Sequence, residues 1–466
     1  MLNGGDSPMK QTTRREFVRR TAATGLTAAP AVRTAWGAQS PNETIRLGVA
    51  GIHGRGRDHY RTFARMPNVR VAYLCDVDER LFPPAVAELA KLSGQAPATI
   101  VDFRELIQRK DLDAVSIATP DHWHALQTVW ACQAGKDVYV EKPASYTLHE
   151  GRKMVQAARK YNRIVQVGLN NRSSSRVRAG IRFLHEQRFG PAYRSKAVVY
   201  RGRISVGQVQ ESSIPEGVHW DLFLGPAPYR AFTENRFHYG WHFFWDTSTT
   251  EVGNNGVHEL DLVRWGLRKS VHPVKIHCVG GRFVEEGDQE VPNVQNASFL
   301  YADGTLVEIE STTLPSPPFG GVQMGAFWYT PRGYVSTAGD WSTVLGEFTP
   351  ATGAPPAPGI SNRANNLSFP QIAYKPGPAI PDIDEPQVSH FENFITAVRS
   401  RNRAELHCEI EDGHLSTSLC HLANIAFRTG RALTFDPTTE TFPGDEEANR
   451  LLRRTYREPF VMPAEV

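Results

Sequence analysis

Two short stretches hold residue types that could move a proton. Lys142 closes a strand-like run in "GKDVYVEKPAS", and His258 lies inside "EVGNNGVHELDLVRW", residues 251–265. A lysine amine and an imidazole can exchange a proton with a substrate hydroxyl. At helical pitch Asn254, His258, Asp261 and Trp265 recur at i, i+4, i+7 and i+11, one stripe of one face. Asn254 suits a helix N-cap. Asp261 is placed to fix the tautomer of His258 and raise its basicity, as the third member of a triad does. The competing reading is a buried polar seam, and a capped, rigid helix serves both. Upstream, "RFHYGWHFFWDTST" gathers Tyr239, Trp241 and Trp245 among His238, His242 and Asp246. Aromatic faces there can stack on sugar C–H surfaces, with the polar neighbours meeting hydroxyls; a strand-edge core cluster is the plainer reading.

The elements that must position these residues begin at Ile45. A strand over Ile45–Ala50 enters a glycine-rich turn, a helix-like segment follows, and a second strand over Val69–Cys75 ends at Asp76. This βαβ pattern seats a dinucleotide pyrophosphate on a helix N-terminus. The G-x-G-x-x-G frame places Gly51 first, His53 where the second glycine belongs, and Gly56 third, with Gly54 one place late and Arg55 beside it. Asp76 follows Gly56 by 20 residues, the spacing of a carboxylate that holds the adenosine ribose. An aspartate there favours NAD over NADP, with Arg80 leaving a minority case for NADP. Further strands over Ala114–Ala118 and Val138–Val140 end at Thr119-Pro120 and Glu141-Lys142-Pro143, and loops after parallel strands are where ligands bind. His122 and His124, in "HWH", are expected in a loop that touches cofactor or substrate; with no third ligand nearby, no metal is expected. Asn170 and Arg172, after a strand in "VQVG", are candidate substrate contacts.

The 466 residues, 40% hydrophobic and 22% charged, suffice for two domains with full cores. Residues 1–37 combine paired arginines in "TTRREFV" with a short apolar run and small residues at Ala35 and Gly37. That combination describes a twin-arginine export signal, too short to span a bilayer, and places the protein in the periplasm. The segment holds six basic and two acidic side chains against a total of +3, so the remainder is near neutral and no basic surface for nucleic acid is left. The five cysteines have no C-x-x-C spacing and read as buried free thiols. Residues 349–380 are rich in proline and glycine and read as surface excursions.

These motifs together resemble the Gfo/Idh/MocA family of NAD(P)-dependent oxidoreductases. The resemblance rests on the βαβ unit, "ATPDHWHA", "EKPAS", "VQVGLNNRSS", "GNNGVHELD" and the terminal 391–437 segment. It implies a Rossmann domain over 43–165 and an α/β domain over 166–385 built on a large, open, mainly antiparallel sheet. Returning helices over 386–437 would pack on the Rossmann domain, ahead of a tail over 438–466. It also implies Lys142 and His258 as the catalytic pair and a homodimer or tetramer formed through the large sheet. One departure stands out: the family pattern D-x-G-x-H has Asn254 in place of its aspartate, and an amide cannot take a proton at neutral pH. The expected activity is hydride transfer between a sugar, glycoside or polyol carbinol and NAD. The alternatives are a glycoside hydrolase or lyase that uses tightly held NAD through a transient keto-sugar, and a non-catalytic sugar-binding protein.

Overall fold

A computed structural model describes residues 44–348 and 372–466. The stretch expected to be an export signal and most of the proline-rich stretch lie outside these residues. The first half is a six-stranded parallel sheet in the order β3-β2-β1-β4-β5-β6. Its strands are β1 (Ile45–Ala50), β2 (Val69–Cys75), β3 (Ala98–Ile100), β4 (Ala114–Ile117), β5 (Asp137–Val140) and β6 (Val165–Val167). Helices α1 (Arg55–Phe63), α2 (Phe82–Ser93), α3 (Phe103–Ile107), α4 (Asp121–Gln133) and α5 (Leu148–Lys160) make the crossovers. β4 and β5 are buried at every position, as parallel strands covered on both faces must be. The strand order reverses between β1 and β4, which opens a crevice at their C-terminal ends.

The second half carries α6 (Ser175–His185), β7 (Arg194–Tyr200), α7 (Trp220–Leu224), α8 (Thr250–Asn254) and α9 (Gly256–Gly266), then seven further strands. These are β8 (Lys275–Gly281), β9 (Val294–Leu300), β10 (Leu306–Thr312), β11 (Met324–Thr330), β12 (Gly333–Ser336), β13 (Ser342–Phe348) and β14 (Ile372–Pro376). With β15 (Leu433–Thr434) they form one nine-stranded sheet, β14-β13-β12-β11-β7-β10-β9-β8-β15. Every pairing is antiparallel except β7 with β10. Alternation fixes the inner face: Ala297 and Phe299 of β9 and Val307 and Ile309 of β10 are buried against the helical layer. On the outer face Lys196 pairs with Glu310 and Arg194 with Glu308.

Two late helices join the halves. α10 (His390–Ser400) returns to the first sheet, where Phe391 stacks on Tyr139 at 4.7 Å and Phe394 and Ile395 join the cluster of Leu47 and Phe63. α11 (Ile410–Thr429) lies in the seam and touches α5, α9 and β8 together. The terminal residues are not a loose tail. Phe442, Phe460 and Met462 are buried, and α12 (Glu446–Leu451) is capped by Asp445. Glu440 fastens this segment. Its Oε1 accepts hydrogen bonds from His272 (2.8 Å), His414 (3.0 Å) and Arg152 (2.6 Å). Two histidines and a carboxylate have the donor set of a cation site, but the guanidinium of Arg152 already supplies the positive charge.

All five cysteines are buried and free. Among the described residues no helix is long and apolar enough to cross a membrane. Several histidines are held neutral by burial, His122 and His421 at about 3 and His390 at about 4, against an ordinary 6.5. Each binds a proton more readily unfolded than folded, so stability is unaffected above about pH 6.5 and falls as pH drops toward the folded values. The loss is about 1.4 kcal/mol per pH unit for each such histidine. Thermal denaturation between pH 7 and 4 should show a steep decline in this window; a flat melting temperature would contradict the neutral assignment.

Candidate active site in the crevice

The turn after β1 is shaped by its glycines. Gly51 adopts φ 76° and Gly54 φ 52°, conformations that cost an L side chain. A Cβ on Gly56 would lie 1.6 Å from the Gly51 carbonyl oxygen, so Gly56 serves the turn and does not line the cavity. This cradle opens α1 toward the crevice, and its tight backbone fits a pyrophosphate. His53 at the second glycine position is exposed, and its ring rests 4.5 Å from that of His238. Asp76 accepts from the Ile52 N–H (2.7 Å) and the Asp78 N–H (3.0 Å). Burial pushes its carboxyl up to about 6, against those two donors. Arg80 is committed to Asp78, with Nε and Nη2 each at 2.7 Å.

A cavity of about 540 Å³ runs from this cradle to the second half, lined by Gly51, His53, Gly54, Arg55, Asp76, Thr119, Pro120, His124, Glu141, Lys142, Asn170, Tyr239, Trp241, Asn254 and His258. The second half roofs it. His219 N–H donates to the Val77 carbonyl and Glu79 N–H to the Gly217 carbonyl, at 2.8 Å each. His238 holds Asp78 at 3.0 Å from a strained φ of 48°. Tyr239, Trp241 and His242 sit on one 3-10 turn, not a strand edge, and the indole of Trp241 stacks on His242 at 3.6 Å. Trp245 lies outside the cavity, packed between Phe427 and Arg428.

Lys142 follows β5 directly, and its Nζ donates to the Asn254 main-chain oxygen (2.8 Å) and side-chain Oδ1 (3.0 Å). Asn254 therefore does not cap the helix of His258. It ends α8, Asn255 breaks the path, and α9 begins without a side-chain cap, so residues 254–265 are not one continuous helical stripe. His258 is half-buried on α9. Burial first, and then the Lys142 ammonium, lower its imidazole to about 4, so it is neutral at pH 7. Its Nδ1 is buried with no hydrogen-bond partner among the described residues.

Asp261 does not orient His258. It accepts from Arg172 Nε (2.9 Å) and Nη2 (2.8 Å) and from Ser416 Oγ (2.7 Å), all buried. A bidentate guanidinium satisfies a buried carboxylate better than a neutral imidazole, so the pair forms away from the cavity. Arg172 is thereby removed from the substrate contacts. Asn170 stays in the cavity wall, its Oδ1 accepting from the Tyr139 hydroxyl at 3.0 Å. His122 and His124 stand on the first turns of α4, not in a loop. His122 turns away toward the Phe223 carbonyl, while His124 meets the Thr119 and Pro143 carbonyls at 2.7 Å each.

Asp121 and His59 take part without having been singled out in the sequence, beside Glu141 and His242, which were. Asp121 lines the cavity and accepts from Thr249 Oγ1 at 2.6 Å, and burial raises its carboxyl. Glu141 is gripped by Arg55 Nε and His59 Nε2, both at 2.9 Å. Burial opposes its ionisation, but the His59 hydrogen bond and the Arg55 charge hold it well below the carboxylate range. His59 itself is kept neutral by burial and completes the chain at Ser116. His242 Nδ1 donates to the Tyr239 carbonyl at 2.8 Å, which fixes Nε2 as its free lone pair. Asp121 and His242 do lie in motifs with visible polar character; His59 lies on a helix face that gives no such signal.

Comparison with known proteins follows this geometry. The Gfo/Idh/MocA profile described as "Oxidoreductase family, NAD-binding Rossmann fold" matches residues 45–169. The companion profile, "Oxidoreductase family, C-terminal alpha/beta domain", matches 198–316 and 368–462. An alpha-N-acetylgalactosaminidase of Shewanella oneidensis is 31% identical over 120 residues, 25% of this chain and 26% of that protein. The match thus spans about a quarter of that relative. Among solved structures, the WlbA dehydrogenase of Bordetella pertussis in complex with NADH and UDP-GlcNAcA has a TM-score of 0.59 at 18% identity, covering 84% of this chain and 99% of that one. The aldose-aldose oxidoreductase of Caulobacter crescentus complexed with glycerol has a TM-score of 0.58 at 16% identity, covering 84% and 100%. The chain belongs to the Gfo/Idh/MocA oxidoreductase family, an NAD-binding Rossmann fold followed by that family's C-terminal α/β domain.

Proposed function

We propose that this protein is an exported oxidoreductase that transfers hydride between a carbinol carbon of a sugar, glycoside or polyol and NAD. The observation that carries the proposal is the meeting of Lys142 and His258 in one cavity, between a dinucleotide cradle and an aromatic wall. Sugar-handling structures of the same fold, named above, support the substrate class. Gly51, Gly54 and Arg55 would hold the pyrophosphate and Asp76 the ribose. Commitment of Arg80 to Asp78 leaves a 2′-phosphate unpaired next to two carboxylates, which favours NAD over NADP. The bound nicotinamide would supply the hydride acceptor or donor.

The protein's own part is the proton. Two of the Lys142 N–H bonds point to Asn254, which aims the third donor while holding the amine in place. His258, neutral at working pH, can accept a hydroxyl proton. Protonating it beside an ammonium is costly, so the pair is suited to passing one proton between its members and not to storing two. Tyr239 and Trp241 offer faces for sugar C–H groups, and Asp121 and His242 polar edges for hydroxyls.

A second reading has its own support: glycosidic cleavage through a transient ketone, with the cofactor restored at the end of each cycle. The roof of residues 217–242 would retain a dinucleotide, and one partial relative is named a glycosidase. Denaturing the natively exported protein and assaying the supernatant should release close to one NAD or NADH per chain, with little NADP. Product analysis on glycosides then separates net oxidation from cleavage without net redox. Protein that is empty and fails to bind added NAD would overturn both readings.

A further inference from the structure

We propose that Glu251 is a positioning residue that supplies, from behind Asn254, the negative charge that an aspartate at 254 would have brought to Lys142. The inference rests on Lys142 as the proton-handling amine. Glu251 lies on α8, three residues before Asn254, with its side chain 9% exposed and outside the cavity lining. Its Oε2 faces the Asn254 Nδ2 at 3.4 Å, and its Oε1 accepts from the Asn255 side-chain amide. The Arg203 guanidinium closes the far side at 3.3 Å and lies 5.5 Å from the Tyr239 ring centre.

The chemistry of the groups sets the direction of the relay. An asparagine amide can turn either end toward a lysine, and only its oxygen can accept. An ionised glutamate accepts and never donates, so it draws the Asn254 NH2 to itself and leaves Oδ1 for Lys142, where it sits at 3.0 Å. The carboxylate that the site lacks at 254 is thus present one helical turn earlier, with the amide between it and the amine. Second-layer groups of this kind orient the groups that do chemistry.

The test uses the full chain and two readouts. The first is the rate at which trinitrobenzenesulfonate modifies Lys142, followed by peptide mass spectrometry, which needs no substrate. Glu251→Gln should raise that rate at least about fivefold, because a glutamine amide can turn and release Asn254. Adding Asn254→Asp to Glu251→Gln should bring it back to within about twofold of wild type, since an aspartate grips the ammonium directly. The second readout is single-turnover reduction of bound NAD by the glycoside that reduces it fastest: the limiting rate should fall about tenfold or more in Glu251→Gln with the half-saturating glycoside concentration little changed, and recover in the double variant. If Glu251 merely anchors Arg203, adding Arg203→Met will rescue Glu251→Gln and Asn254→Asp will not; that pattern, or unchanged labelling, overturns the inference. Normal labelling behaviour in a wild type that oxidises no sugar would instead contradict the proposed function alone.

Discussion

Replacing Lys142 with methionine should abolish hydride transfer while leaving cofactor binding intact. Methionine keeps the length and the apolar stem, so the loss isolates the amine. Removing a positioned proton donor or acceptor costs about 10²–10⁴ in rate, and a loss in that range is expected here because burial still opposes a charged His258. That imidazole is held at about 4 by burial and by Lys142, and without the ammonium it should titrate higher. The measurement is single-turnover reduction of bound NAD, with NADH binding followed in parallel by fluorescence. A normal rate in Lys142→Met would remove the amine from the mechanism. Loss of both rate and NADH binding would show that it serves the cradle instead.

The largest effect on stability is expected at Arg172, outside the cavity. Arg172→Met leaves Asp261 buried with Ser416 as its one side-chain hydrogen-bond donor among the described residues and Arg264 no nearer than 4.0 Å. Breaking one side of a buried ion pair costs about 3–5 kcal/mol. Adding Asp261→Leu should recover much of the loss, because two apolar groups no longer strand a charge. Urea denaturation of the single and double variants measures this. The residual folded fraction should bind sugar normally, in contrast to the behaviour of a substrate contact. A single variant as stable as wild type would contradict the burial of this pair.

These two cases show what sequence patterns carry and what they omit. The strands Ile45–Ala50 and Val69–Cys75 are legible because a buried parallel strand is a continuous apolar run bounded by turn residues. The convergence of Gly51, Asp76 and Lys142 is legible because all three follow strand ends of one sheet, and chain order fixes which edge they share. Asp261 is misleading for the opposite reason. Its place three residues from His258 is visible locally, but the groups that claim it are 89 and 155 residues away. Trp245 shares a motif with Trp241 and yet faces Phe427, because a 3-10 turn followed by extended backbone sends neighbouring rings to different sides. The terminal segment, expected as a tail, is held in the fold. Four scattered apolar residues, Phe442, Leu452, Phe460 and Met462, dock it, and no periodicity announces them.

The most direct test of the central claim follows the hydride itself. The protein is loaded with oxidised NAD, mixed with perdeuterated hexosides, pentosides and polyols in ordinary water, quenched within one turnover, and its nicotinamide analysed by mass spectrometry. Deuterium on the nicotinamide ring, absent in Lys142→Met, is the predicted result. Bound NAD that stays oxidised and unlabelled with every carbohydrate would contradict hydride transfer at this site.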